Sequence, residues 1–108
     1  HLDLSGLLRR RQLRTIFAYL KRRKQVMPTL LMGDLNEWSR KRGAFREIPH
    51  DYKIAHSEPS FHAQRPIAQL DRIITGPGLT VTASGTHHSA LARSASDHLP
   101  VWADLRFD

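Results

Sequence analysis

Asp34 and Asn36 are the residues of this sequence whose types and spacing best suit chemistry. They follow the apolar run Thr29–Met32, which has strand composition. Because side chains alternate along an extended chain, both should point to the same side. A carboxylate can act as a base or bind a hard cation, and an amide can steady an anion. Gly33 and these two residues are also common turn formers, so a plain turn after a strand is the alternative.

Two further clusters carry acids beside predicted strands. Asp71 lies in Leu70–Ile74, and Asp97 and His98 lie in Ser96–Val101, just before a final strand. A histidine near a carboxylate can donate a proton or a hydrogen bond to a phosphate. Three acid-bearing clusters at strand edges favour a shared site over independent turns.

Each of the two later clusters also has a structural interpretation. Asp71 could pair with Arg72 on a surface strand, which would contribute little. Asp97 and His98 could form a turn before Pro100.

Other polar and aromatic residues have weaker functional interpretations. His1 is at a chain end, where residues are usually mobile. Trp38 is expected to pack in a loop or in the core. His87 and His88 are adjacent, so their side chains diverge and a shared metal is not expected.

Composition limits the chain to one domain or less. It has 108 residues and no cysteine, which excludes disulfides and thiolate metal sites. No apolar run approaches the ~20 residues that span a bilayer, and no signal-peptide core is visible. We therefore expect no transmembrane segment and a cytoplasmic location, although the sequence begins at His1 without a methionine.

The predicted elements alternate between helix and strand. A helix should run from Gly6 to Lys24 with Ser5 as its N-cap, and its apolar stripe should pack on a sheet. The stripe consists of Leu13, Ile16, Phe17 and Leu20. The segment His87–Ser96 is small and polar, and is predicted to be a loop. The predicted strands are Thr29–Met32, Tyr52–Ala55, Leu70–Thr75, Leu79–Thr86 and Val101–Phe107, with a helical turn or two over Gly43–Ile48.

The charge is strongly positive and uneven. The net charge is +7, and eight of the seventeen basic residues lie between Arg9 and Lys24. Such a stretch attracts phosphates, nucleic acid or anionic membranes. A solvated helix face is the simpler interpretation.

The motifs GDLN (33–36), LDRI (70–73) and SDHLPV (96–101), in that order, resemble the C-terminal motifs of the endonuclease/exonuclease/phosphatase superfamily, whose fold is that of deoxyribonuclease I. His1-Leu2-Asp3 resembles the end of another strand motif of that family. The resemblance covers residues 1–108 and is closest to bacterial metal-dependent hydrolases. It implies an α/β fold, the C-terminal half of a four-layer α/β sandwich, with one mixed β-sheet and a helix on its outer face. The N-terminal half, which carries the family's metal-binding glutamate, would be missing.

The resemblance also implies roles. Asp34 would orient or deprotonate the attacking water, and Asn36 and His98 would contact the phosphate. Asp71 would hydrogen-bond His98, His1 would be a further active-site histidine, and Asp97, with Asp34, would contribute to a metal site. The cofactor would be Mg²⁺, with Mn²⁺ as the alternative. The catalytic set is thus Asp34, Asn36, Asp71, His98 and His1.

The resemblance points to a fragment of a metal-dependent phosphoesterase. Its substrate would be a nucleic acid, a phospholipid headgroup or a small organic phosphate, and its partner would be the missing half of the domain. Without that half, we expect the chain to self-associate through its open sheet, and to be inactive alone. The alternatives are a non-catalytic basic module that binds nucleic acid and a purely structural half-domain. Three acids would repel phosphate unless a metal intervened, which favours the enzyme.

Overall fold

The computed structural model describes residues 1–39 and 42–108, and it confirms an α/β fold. These residues form a long helix, a 3-10 helix, a short helix and five strands. In chain order they are α1 (Gly6–Arg22), β1 (Leu30–Asp34), the 3-10 helix (Gly43–Glu47), β2 (Lys53–Ile54), β3 (Asp71–Thr75), β4 (Leu79–Thr86), α2 (Ala90–Ala95) and β5 (Val101–Phe107).

Within the described residues the strands form two hydrogen-bonded sheets, so the predicted single mixed sheet is wrong. β3 lies between β1 and β2 in a three-stranded sheet, and β4 pairs with β5 in a second sheet. All three of these pairings are antiparallel. The segment before α1 lies beside the end of β1, where Leu2 donates its backbone N–H to the carbonyl of Asp34 at 2.8 Å.

Helix α1 packs through one stripe against the three-stranded sheet. Leu13 and Phe17 are buried in a core that also contains Ile74 of β3, while Ile16 and Leu20 are half-buried at its edge. This confirms the predicted stripe. The helix ends at Arg22, two residues before the predicted Lys24. The same cluster of buried residues also contains Leu2, Leu35, Ala44 and Phe45.

Helix α1 begins at the predicted position, but it is capped differently from the usual serine cap. Ser5 is the N-cap residue, but its side chain makes no capping hydrogen bond. Its backbone N–H donates to Asp3 Oδ1 at 2.7 Å, and its carbonyl accepts from Arg9 N–H at 2.9 Å. The Asp3 carboxylate therefore fixes the backbone that immediately precedes the helix.

The predicted loop His87–Ser96 contains the helix α2, so that prediction is wrong. The Ser89 hydroxyl accepts a hydrogen bond from Ala92 N–H at 3.0 Å, which caps the helix. Alanine, leucine and arginine at the following positions favour helix. A capping serine before small residues was the signal present in the sequence.

The face of β1 that points away from α1 is open. Leu30 and Met32 have exposed fractions of 42% and 66%, whereas Leu31 between them contacts the core. Of the other residues predicted for this face or for the core, Ile73 is buried, and Val81 and Val101 are half-buried. Two exposed apolar side chains on one strand form a surface that water solvates poorly.

We expect the 108-residue chain to self-associate through this face. Replacing Leu30 and Met32 together by lysine should shift it toward the monomer, because two charges on that face oppose burial. Analytical ultracentrifugation over a range of concentrations measures this, with Leu91→Lys on α2 as the exposed-leucine control. A wild-type chain that stays monomeric at high concentration would contradict the prediction.

Candidate active site

Two aspartates from neighbouring strands form the centre of the candidate site. In the antiparallel register, Asp34 at the end of β1 lies opposite Asp71 at the start of β3. The side chains are about 12% and 20% exposed, so both are largely screened from water. This register brings together two motifs that are far apart in the sequence.

His98 lies between the two carboxylates. Its Nδ1 is 2.6 Å from Asp71 Oδ2, which is a short hydrogen bond, and its Nε2 is 3.7 Å from Asp34 Oδ2. With the Nδ1 proton donated to Asp71, Nε2 is directed toward the Asp34 side. The predicted pairing of Asp71 with His98 is present in the structure.

The pKa of His98 is raised above its ordinary value of 6.5. Burial of the ring acts to lower this pKa, but the hydrogen bond to Asp71 and the charge of that carboxylate outweigh it. The charges of Asp34 and Asp97 act in the same direction. The surroundings therefore favour the imidazolium form.

Asn36 is held in a fixed position beside Asp34. Its backbone adopts φ 49°, a conformation that asparagine tolerates better than most residues, and its N–H donates to Asp34 Oδ1 at 2.8 Å. Its buried side-chain amide donates to the carbonyl of Leu2 at 2.6 Å. Asp34 Oδ1 is thus engaged within the loop, and Oδ2 faces the site.

His1 reaches the site despite its terminal position. Its Nε2 lies 3.5 Å from Asp34 Oδ2 and 3.4 Å from Asn36 Nδ2, and the side chain is 71% exposed. The hydrogen bonds of Leu2 to this loop hold the adjacent backbone. His1 therefore borders the site from the solvent side.

Asp97 stands apart from this cluster. It is exposed, and its carbonyl accepts a hydrogen bond from Ala63 N–H at 2.7 Å. In the described part of the chain, the carboxylate and imidazole ligand atoms that lie within 4.8 Å of one another belong to Asp34, Asp71 and His98. A metal role for Asp97 stays a prediction.

The carboxylate oxygens of this cluster meet the ligand requirements of a cation only in part. Asp71 Oδ2 already accepts hydrogen bonds from His98 and from Ser60, so it is committed to orienting the histidine. Asp34 Oδ2 is the carboxylate oxygen best placed to bind a cation. Mg²⁺ prefers oxygen ligands and keeps several waters, so one such oxygen suits it but needs further ligands.

Ser60 is a site residue whose role the sequence did not reveal. It is fully buried, and its hydroxyl donates to Asp71 Oδ2 at 2.5 Å. Its carbonyl accepts from Leu99 N–H at 2.9 Å, which ties this segment to the one that carries His98. The Ser60-Phe61 pair before Pro66 was the available signal.

A second missed residue, Glu37, anchors the loop that follows β1. Its buried carboxylate accepts the N–H groups of Ala44 at 2.5 Å and Ser39 at 3.2 Å, and lies 3.6 Å from Arg9 of α1. A Cβ at Gly43 would lie 2.0 Å from this carboxylate, and Gly43 has φ 62°, so glycine is required there. The interaction connects α1 and the 3-10 helix to the loop of Asn36.

The aromatic ring of Phe61 lies beside His98 and contacts Trp38 in turn. The Phe61 ring centre lies 5.0 Å from that of His98 and 6.1 Å from that of Trp38. Trp38 packs edge-on against Phe61 in its loop, as expected of a packing aromatic, but 60% of it remains exposed.

Comparisons with known proteins identify the family and the fold of the chain. The profile of the Endonuclease/Exonuclease/phosphatase family matches residues 1–98. No curated protein matches the chain. Among solved structures, an endonuclease/exonuclease/phosphatase from Bacteroides vulgatus is similar, with a TM-score of 0.78 and 21% identity over 96% of this chain and 46% of its own.

A functionally unknown conserved protein from Enterococcus faecalis V583 is also similar. Its TM-score is 0.80 and its identity 22%, over 100% of this chain and 48% of its own. The chain therefore spans about half the length of both structures, whose likeness concerns the fold. Because the family profile covers most of the sequence, the chain belongs to the endonuclease/exonuclease/phosphatase family.

Proposed function

We propose that residues 1–108 supply the C-terminal half of the active site of a metal-dependent phosphoesterase. Members of this family are generally metal-dependent phosphoesterases or nucleases. The observation that carries the proposal is the placement of His98, whose Nδ1 binds Asp71 while its Nε2 lies 3.7 Å from Asp34. A potential base and a potential cationic donor are thus adjacent in one partly screened site.

Asp34 is the group that orients and deprotonates the attacking water. Its Oδ1 is fixed by the N–H of Asn36, so Oδ2 is presented to the site in a set direction. A base must lie within hydrogen-bond reach of the proton it takes, and a fixed carboxylate meets that need. In-line attack then displaces the leaving oxygen of the phosphate ester.

His98 donates from Nε2 to a phosphate oxygen. Asp71 holds the ring in the tautomer and orientation that expose Nε2, and its charge favours the imidazolium. Positive charge at the phosphate stabilises the negative charge that develops in the transition state. Ser60 keeps Asp71 in position and acts as a positioning residue.

Asn36 and His1 complete the set of residues that contact the phosphate. Asn36 Nδ2 lies 3.4 Å from His1 Nε2, so both nitrogens face one small region beside Asp34. An amide N–H and an imidazole N–H there can donate to the remaining phosphate oxygens.

The cofactor we propose is Mg²⁺, with Mn²⁺ as the alternative. Bound near Asp34, it would neutralise charge on the phosphate. Asp34 and Asp97 are the proposed ligands in this chain, and an acid of the missing half of the domain would supply the remainder. The substrate is a phosphodiester or phosphomonoester of a nucleic acid, a phospholipid headgroup or a small organic phosphate.

The alternative of a non-catalytic nucleic-acid-binding module fits the site less well. Asp34 and Asp71 present negative charge where a phosphate would have to lie, and a simple binding module gains nothing from that repulsion. Catalysis with a cation accounts for both acids.

We expect Asp34→Asn to lower turnover by about a hundred-fold or more in the protein at its natural length, because the amide removes the base. Hydrolysis of a chromogenic phosphodiester with Mg²⁺ or Mn²⁺ measures this, with the exposed Asp51→Asn as the matched control. Residues 1–108 alone should show no turnover. Wild-type rates in Asp34→Asn, or ordinary turnover by the isolated chain, would refute the proposal.

A second prediction concerns the protonation of His98. In Asp71→Asn, the pKa of His98 should fall, because both the hydrogen bond to a carboxylate and its charge are lost. The stabilisation linked to this proton is complete below the unfolded pKa of about 6.5 and is lost as pH rises through the higher folded pKa. In the wild-type protein the rate should also fall as pH rises through the folded pKa, because His98 then loses the proton that it donates to the phosphate.

NMR titration of the imidazole resonances measures the pKa of His98 directly. The exposed Asp104→Asn is the control, since it should leave the titration unchanged. An unaltered His98 pKa in Asp71→Asn would show that the two side chains do not interact as described.

A further inference from the structure

The start of helix α1 exposes three leucines. Leu4, Leu7 and Leu8, which we call the leucine patch, have exposed fractions of 79%, 78% and 43%. Leu7 and Leu8 lie in the first turn of the helix, and Leu4 lies just before it. Single exposed leucines are ordinary, but three within five positions form a patch that is unfavourable in water.

Basic side chains lie next to the leucine patch on the outer face of α1. Arg11 follows Leu7 and Leu8 by four and three positions, so the three side chains are neighbours on the helix surface. Leu7, Leu8 and Arg11 line one depression together with Arg10 and Arg14. Apolar and cationic groups therefore share one surface.

The positive charge of this face is only partly compensated. Glu47 accepts hydrogen bonds from Arg10 and Arg14, and it is half-buried against them. Arg11 and Arg22 are exposed along the helix, and the sequence has no acid between Arg9 and Lys24.

We propose that the leucine patch and the adjoining arginines dock the protein onto an anionic lipid bilayer. A helix with leucines beside arginines is suited to the bilayer interface, where the leucines enter the boundary of the acyl chains and the arginines bind lipid phosphates. A nucleic acid would satisfy the arginines but would leave the leucines in water, so the bilayer fits the whole surface better.

Docking through this surface also places the candidate active site near the lipid. Leu4 is three residues from His1, and three extended residues span at most about 11 Å. Arg9 Nη1 donates to the carbonyl oxygens of Asp3 at 3.3 Å and Leu4 at 2.5 Å, so this connection is held in place. The inference goes beyond the proposed function, which requires no membrane.

Vesicle sedimentation of the protein at its natural length tests the inference. Binding is compared for vesicles of phosphatidylcholine alone and for vesicles that also contain phosphatidylglycerol, at low and high salt. The test variants are Leu7→Ser/Leu8→Ser and Arg11→Glu, and the matched controls are the exposed Leu91→Ser and Arg106→Glu. Circular dichroism of each variant establishes that it is folded.

We expect binding to the anionic vesicles only, weakened by salt, and weakened by about tenfold or more in the leucine double variant. Arg11→Glu should also weaken binding, and the controls should not. No binding to anionic vesicles, or binding that folded leucine variants retain, would overturn the proposal. Tighter binding to a single-stranded oligonucleotide than to the vesicles would overturn it in favour of a nucleic-acid surface.

Discussion

The site depends on keeping two carboxylates side by side. The β1–β3 register sets Asp34 opposite Asp71, with oxygens within 4.8 Å. Like charges opposite each other destabilise an antiparallel pair, and at an effective dielectric of about 20 the repulsion is on the order of 3 kcal/mol. His98 offsets it, since its ring lies 2.6 Å from one carboxylate and 3.7 Å from the other. The two neighbouring carboxylates therefore raise the pKa of His98, and the protonated ring in turn reduces the repulsion between them.

The surrounding structure maintains this arrangement through separate hydrogen bonds. Ser60 donates to Asp71, and the backbone of Asn36 donates to Asp34, so each carboxylate has its own partner besides the histidine. Glu37 connects the loop of Asn36 to the 3-10 helix and to α1. Helix α1 therefore has one face in the core, and it supports the loop of Asn36 through the contact of Arg9 with Glu37.

The sequence predicted what depends on local pattern. The bounds of β4 and β5 and the stripe of α1 follow from periodicity. The grouping of Asp34, Asp71 and His98 follows from motifs at strand ends together with the family resemblance. Apart from α2, for which Ser89 was a local signal, what it missed depends on tertiary contact. Ser60 looks like any loop serine until its hydroxyl meets Asp71. The division into two sheets reflects pairings between distant segments, which no local pattern specifies.

The central claim is that Asp71 acts through His98, and a double-mutant cycle tests it most directly. Phosphodiesterase rates are measured for Asp71→Asn, His98→Ala and the double variant, in the protein at its natural length. Residues that act as one unit are non-additive, so the double variant should lose little beyond His98→Ala alone. A rate loss in the double variant equal to the product of the two single-variant losses would contradict the account, because it would show that the two residues act independently.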